Sequence, residues 1–216
     1  MVKVERTFPA PKSLAVEAEK ANGSYSEPDV IEQLRKDFHN KCYICELKDL
    51  RDPQVEHRLP HMNGKYPDRK YDWNNLFRSC SHCNNVKNKR IYDQGIIDCC
   101  VQDPEELLRF RLKEDDVEVE AIDLKDESDV CTAQLIREVF NLRNTGMREY
   151  KSTKRLKELT KEMNKLYNTL EEIEKTPDSE FLQRKLKALL RKESAFAAFK
   201  RGFIRENKEK YCCLLM

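Results

Sequence analysis

The chain has 216 residues, 37% charged and 39% hydrophobic, which suits one ordinary domain or a small domain with a helical extension. Its net charge of +2 gives no strong sign of a polyanionic partner for the chain as a whole. The start of the sequence lacks the apolar core of a secretory signal, and no stretch approaches the roughly 20 apolar residues that span a bilayer. We therefore expect a cytoplasmic protein whose cysteines stay reduced.

Charge is unevenly distributed along the chain. Residues 41–90 carry 11 basic residues against 6 acidic ones, and residues 146–211 carry 18 against 11. Residues 103–129 carry 12 acidic residues against 4 basic ones. The two basic regions are compatible with nucleic-acid contact, although a solvated helix face explains the C-terminal one equally well.

The first half of the chain divides into two predicted parts. Residues 1–27 contain prolines, a glycine and several serines, so we expect an extended N-terminal arm. Residues 28–102 form the predicted core, which opens with a helix because Val30, Leu34 and Phe38 recur at helical spacing. The stretch that follows is rich in Cys and His and has little periodicity. Short strands, a loop and a short helix fit it best.

The second half also divides in two. Residues 103–130 form a predicted acidic β-hairpin, since polar and apolar residues alternate over 107–124. Residues 131–216 form a predicted helical region, in which a buried helix at 132–142 precedes an apolar seam with a heptad period. A further helix, capped by Thr176, would return along the seam as a helical hairpin. The predicted fold class is therefore α+β. The seam comprises Leu156, Leu159, Met163, Leu166, Leu170 and Ile173.

Four of the nine cysteines form two Cys-x-x-Cys pairs. In a reducing compartment, two such pairs are typical of one tetrahedral zinc, because each pair supplies two thiolates from a tight turn. The predicted ligands of this structural zinc are Cys42, Cys45, Cys80 and Cys83. Small core residues are the expectation for Cys99, Cys100 and Cys131.

Polar residues lie between and after these pairs. Glu56 and His57 end a predicted strand in VEHRLP. Asn75 precedes a second strand, and Asn84 opens a helix after the last cysteine. A zinc staple by itself requires none of these four residues.

This arrangement resembles the HNH endonuclease family, in the variant whose ββα-metal core is stapled by zinc. The match is carried by Glu56, His57, Asn75, Asn84 and Lys87. The chain is also similar to the PtuB family of nucleases from Septu antiphage systems, which accompany some retrons as well. That similarity is carried by FPAPKSL near the start, KCYICE, VEHRLPH, DWNNLFRSCSHCNNVK and NLRNTG.

The resemblance implies a role for each of these residues. His57 would be the general base, since a neutral histidine can take a proton from water at pH 7. Glu56 and Asn84 would hold a catalytic Mg²⁺ or Mn²⁺ through oxygen atoms. Asn75 would fix the loop that orients His57. This chain has Asn84 where the family has histidine, and Glu56 where it has aspartate, and both still offer oxygen ligands.

The sequence does not decide which residues contact the substrate. Lys87 or Arg58 would contact phosphate. His61 would contact substrate, bind metal or lie at the surface. His82, between the cysteines of the second pair, is expected to be exposed.

The resemblance also implies partners. A PtuA-type ATPase would restrain or direct cutting, and the C-terminal helices and the acidic segment are the candidates for docking it. In a retron, the reverse transcriptase with its DNA–RNA product would join the complex. DNA is the default substrate, and RNA, including tRNA, is the alternative.

Two other readings of the sequence compete with a nuclease. The first is a non-catalytic, zinc-stapled module that binds nucleic acid, in which only the cysteines matter. The second is a prenylated, membrane-associated protein, because the last four residues, CLLM, match a prenylation box at Cys213. That motif is weak, because the resembling families are bacterial and bacteria normally lack the pathway.

Overall fold

The computed structural model of the chain describes residues 1–141 and 146–211. In this part the protein is a mixed α+β structure, as predicted, with helices around two small antiparallel sheets and one cluster of buried hydrophobic side chains. Residues 142–145, within the NLRNTG segment, and Cys213 of the prenylation match lie outside the described residues. None of the described helices has the length and apolar character needed to cross a membrane.

The N-terminal segment is packed onto the rest of the protein. Its first residues are extended but buried, and Val4 N donates to Cys99 O at 2.9 Å. A helix, α1 (Lys12–Ala18), follows. The prediction of an extended arm over 1–27 is therefore wrong for the residues of α1. The proline-rich start of the chain gave no indication of a helix there. The predicted helix of the core is α2 (Pro28–Asp37), which presents its apolar face to the interior.

A strand–strand–helix unit follows α2. β1 (Pro53–His57) pairs antiparallel with β2 (Leu76–Cys80). α3 (Ser81–Lys87) begins directly where β2 ends. β2 is buried along its whole length because α2 and α3 pack on it, whereas β1 is buried only near its end. The loop between the strands carries short 3₁₀ turns at Met62–Gly64, Pro67–Arg69 and Trp73–Asn75.

The acidic segment forms the predicted hairpin. A short helix, α4 (Pro104–Leu107), leads into β3 (Leu108–Lys113), which pairs antiparallel with β4 (Asp116–Ala121). Buried and solvent-facing side chains alternate along both strands, as a half-buried hairpin requires.

The C-terminal region is helical, as predicted. α5 (Glu127–Asn141) packs on β4, and α6 (Gly146–Lys175) packs on α7 (Glu180–Leu190). Lys185 of α7 pairs with Glu172 of α6 at 3.0 Å, as expected for two helices that run back along each other.

The apolar seam of α6 faces inward, with Leu159, Met163 and Leu166 fully buried. The predicted cap at Thr176 is wrong: Ser179 caps α7, its Oγ accepting a hydrogen bond from Leu182 N. Two more helices end the described part, α8 (Ala197–Glu206) and α9 (Lys208–Tyr211).

Candidate functional site

The two Cys-x-x-Cys pairs come together in the fold. The turn after α2 carries Cys42 and Cys45, whereas Cys80 ends β2 and Cys83 lies in α3. The four sulfur atoms lie within 4.8 Å of one another, and all four residues are buried. Four buried thiols this close can bind a structural metal such as zinc, which favours a tetrahedron of thiolates. To that extent the predicted zinc staple is confirmed.

The other cysteines and His82 lie outside this cluster. Cys99 is buried, as predicted, and Cys100 and Cys131 are half-buried. The expectation that His82 is exposed is wrong. Because α3 packs against α5, the His82 ring is covered and its Nε2 donates to Val139 O at 2.9 Å.

His57 lies at the end of β1 and lines a polar cavity of about 580 Å³. Its Nε2 lies 2.9 Å from Lys70 O. A carbonyl oxygen can only accept, so Nε2 carries the hydrogen and the neutral ring keeps Nδ1 free to take a proton. Burial lowers the pKa of His57, which favours the neutral ring at pH 7.

Asn75 holds the loop next to His57 at two points. Its Oδ1 accepts from Leu59 N at 2.7 Å, and its Nδ2 donates to Leu59 O at 2.8 Å and to Arg69 O at 3.0 Å. Leu59 follows His57 closely in the chain, and Arg69 adjoins Lys70, whose carbonyl bonds the imidazole. The buried amide therefore positions the His57 ring and its acceptor together.

Glu56 borders the cavity, but its carboxylate is already paired with other side chains. Its Oε1 lies 2.6 Å from Lys87 Nζ, and its Oε2 accepts from the hydroxyl of Tyr43. Burial raises the pKa of Glu56, against the opposing effect of Lys87 and Tyr43.

Lys87 is placed differently from the predicted phosphate contact. Its side chain is only 5% exposed, and Nζ donates both to Glu56 and, at 3.0 Å, to His57 O. The ammonium group is thus shared between two buried acceptors, because α3 packs directly on β1. Lys87 ties the helix to the strand that carries the histidine.

The two residues predicted as substrate contacts differ in position. His61 lines the cavity, its ring centroid 4.9 Å from that of His57. Arg58 is engaged elsewhere: its Nη1 donates to Ile96 O at 2.9 Å, and its Nε lies 3.5 Å from the carboxylate of Asp98. The geometry therefore favours His61 over Arg58 as a residue that meets substrate.

Asn84 lies on α3, is half-buried and lines the same cavity as His57. Within the described part of the chain its side chain makes no hydrogen bond, so its amide oxygen is available to a ligand. Asn88 and Asp93, which the sequence did not single out, add further oxygen atoms to the cavity wall.

Tyr25 also lines the cavity, although no pattern in the sequence indicates it. Its ring centroid lies 4.5 Å from that of His57, in an edge-on contact. The preceding turn is held by Gly23, whose carbonyl accepts from Tyr71 Oη at 2.8 Å. Only glycine fits there, because a Cβ at position 23 would lie 1.8 Å from Glu17 O.

Comparison of the chain with protein-family models and with curated proteins finds no match. The basis for a function is therefore the cavity and the residues around it.

Proposed function

We propose that the chain is a metal-dependent HNH endonuclease that hydrolyses phosphodiester bonds in nucleic acid. The observation that carries the proposal is the position of His57, held through Nε2 by Lys70 O in a polar cavity. It lies at the end of a strand in a strand–strand–helix unit, the element order of a ββα-metal core. Asn84, on the helix of that unit, faces the same cavity.

The reaction assigned to His57 is general-base hydrolysis. Nδ1 takes a proton from a water molecule, the water oxygen bonds to phosphorus, and the bond between phosphorus and a sugar oxygen breaks. The leaving sugar oxygen takes a proton from solvent and departs as a hydroxyl group. Asn75 keeps the ring in place for this step by holding the neighbouring loop at two points.

The oxygen donors around the cavity suit a hard divalent cation such as Mg²⁺ or Mn²⁺. Asn84 fits directly, since its amide is unengaged within the described residues. Glu56 borders the same space, but Lys87 Nζ lies 2.6 Å from its Oε1 and the Tyr43 hydroxyl bonds its Oε2, so neither oxygen is free in this arrangement. When bound, such a cation supplies the positive charge that stabilises a developing phosphate and leaving oxygen.

The second candidate is the non-catalytic, zinc-stapled module that binds nucleic acid. One observation favours it: Glu56 has both carboxylate oxygens engaged by Lys87 and Tyr43. A binding module does not require the hydrogen bonds that fix the His57 ring and its loop, and for this reason we rank it second.

The setting that we propose is antiphage defence, and the support for it is the resemblance to the PtuB family. A PtuA-type ATPase would control cutting, docked on the C-terminal helices or on the acidic segment at 103–129. A retron reverse transcriptase with its DNA–RNA product is a further proposed partner. DNA is the default substrate, with RNA or tRNA as the alternative.

The test is cleavage of a pool that contains plasmid DNA, single-stranded DNA and tRNA. Wild type and His57→Ala are compared with Mg²⁺ or Mn²⁺, each alone and with a PtuA-type ATPase. We expect wild type to degrade at least one species, and the variant to be slower by about 10²–10⁴-fold, the usual contribution of a general base. Equal rates would refute the role of His57. Binding by both proteins without cutting by either would establish the non-catalytic module.

A further inference from the structure

Arg155, on α6, reaches the cysteine cluster from the C-terminal region of the chain. Its Nη2 donates to Cys80 Sγ at 2.9 Å, although 75 positions separate the two residues in sequence. The residue is only 7% exposed, so this contact lies in the interior. Nη1 donates to Lys151 O at 2.9 Å, one turn back on α6, which fixes the guanidinium against its own helix.

A second contact joins α6 to the same cysteine pair one turn before Arg155. Ser152 Oγ donates to Val139 O at 3.0 Å, the same carbonyl that His82 Nε2 contacts at 2.9 Å. His82 lies between Cys80 and Cys83 in sequence. The second Cys-x-x-Cys turn is therefore held by α6 at its first cysteine and, through the end of α5, at its histidine.

The charge of a metal-bound cluster explains what an arginine does there. Four thiolates around one divalent cation carry two net negative charges, and burial makes such charge costly. A guanidinium remains protonated in the interior and offers N–H donors to a thiolate. A hydrogen bond to sulfur withdraws charge from the ligand, and contacts of this kind are known to stabilise metal sites.

We infer that Arg155 stabilises the metal-bound thiolates of this cluster and that the metal in turn fastens α6 to the strand–helix unit. Metal binding and the docking of α6 then favour each other by the same free energy, as linkage requires. α6 is thus part of the metal centre, whatever reaction the neighbouring cavity performs.

The test measures zinc retention in full-length protein. Arg155→Met keeps an unbranched apolar stem but removes every donor and the charge. Arg184→Met is the matched control, since that arginine on α7 has a side chain 76% exposed. Zinc loss to a chromogenic chelator is timed for each protein, and the thiolate-to-metal absorption band is recorded after cobalt substitution.

We expect Arg155→Met to weaken zinc binding by about 10–100-fold and to shift the cobalt band, because a donor to one sulfur is lost. Arg184→Met should bind zinc as wild type does. Arg155→Lys keeps the positive charge on a different donor group, so its zinc binding should lie between those of wild type and Arg155→Met. Zinc retention by Arg155→Met within twofold of wild type would overturn the inference.

Wild-type protein provides a test that does not depend on the folding of a variant. Amide hydrogen exchange over 150–160 is compared before and after zinc is stripped. We expect faster exchange there once the metal is gone, because α6 loses its attachment to Cys80. Unchanged exchange over 150–160, with faster exchange at the cysteine turns, would overturn the inference as well.

Discussion

Glu56 and Lys87 form an ion pair beside the cavity, and both side chains are buried. Removing one partner from such a pair leaves an uncompensated charge in the interior, which typically costs about 3–5 kcal/mol. We therefore predict that Lys87→Met lowers the free energy of unfolding by about that amount, measured by urea denaturation of the zinc-loaded protein.

The double variant Glu56→Gln/Lys87→Met separates charge from packing. It removes both charges, and the new amide can still accept from the hydroxyl of Tyr43. It should therefore recover most of the stability that Lys87→Met loses. A double variant as unstable as the single one would show that the ion pair is not what the lysine contributes.

The edge-on contact of Tyr25 with His57 makes a second prediction at this scale. Tyr25→Phe keeps the ring and should keep activity. Tyr25→Ala frees one side of the imidazole and should slow cleavage by roughly 10–100-fold, as misplacing a reacting group does. The pH profile of cleavage should move in the alanine variant only. Equal slowing in both variants would point to the hydroxyl group rather than to positioning.

Individual residues were predictable where short spacing carries the information. The two Cys-x-x-Cys pairs indicated a metal cluster because ligand spacing within a tight turn is local. The engagement of Lys87 was not predictable, since it depends on α3 packing against β1. Tyr25 was missed for the same reason: no local pattern links residue 25 to residue 57.

At the scale of single elements, the start of α5 carries a buried acid. Asp129 is 2% exposed, and its Oδ1 makes no hydrogen bond within the described residues. Burial and the nearby carboxylates of Asp126 and Asp123 raise the pKa of Asp129 to about 6. A carboxyl group with a pKa raised above its unfolded value destabilises the fold once ionised, so this cost is fully present above pH 6, shrinks as the pH falls below 6, and vanishes only below the unfolded value of about 4.

Asp129→Asn should therefore raise the free energy of unfolding by about 1–2 kcal/mol at pH 8. At pH 4, close to the pKa of an unfolded aspartate, the carboxyl group is largely protonated in both states and the gain should be small. Urea denaturation at the two pH values measures the difference, with Asp115→Asn at the exposed hairpin turn as the control. The same gain at both pH values would contradict the pKa of about 6 assigned to this carboxyl group.

Elements were well predicted where periodicity is strong. The alternation over 107–124 gave the hairpin, and the heptad seam gave the buried face of α6. Element ends were less predictable. Ser179 and Thr176 both belong to residue types that cap helices, so the sequence alone does not choose between them, and α7 is capped by Ser179.

At the scale of the whole molecule, one buried carboxylate joins distant parts of the chain. Glu46 accepts from the Met1 amino group at 2.8 Å, from Lys41 Nζ at 3.0 Å and from Ala197 N at the start of α8 at 3.0 Å. Although burial opposes it, the two cations lower the pKa of Glu46 to about 2. Glu46 directly follows Cys45, so this junction lies next to the cysteine cluster.

Loss of the metal should therefore affect more than the cysteine turns. We predict that Cys80→Ser loses zinc and activity and unfolds the region around the cluster, because Cys80 joins β2, α3 and, through Arg155, α6. Zinc content and far-ultraviolet circular dichroism measure the two losses. A variant with a wild-type spectrum and full activity would show that the cluster has no structural role.

The way these parts pack together could not be predicted from the sequence. The contacts of Met1, Glu46 and α8 link residues that lie far apart in the chain and belong to no shared pattern. Propensity and spacing describe a chain locally, whereas this junction depends on the assembled core.

The most direct test of the account is a side-by-side comparison of zinc content and nucleic-acid cleavage in wild type and His57→Ala. If His57 is a base beside a separate structural metal site, the variant should keep its zinc and its fold and lose cleavage by about 10²–10⁴-fold. A variant that loses zinc together with activity, or one that cuts as fast as wild type, would contradict the division of roles between the cysteine cluster and the cavity.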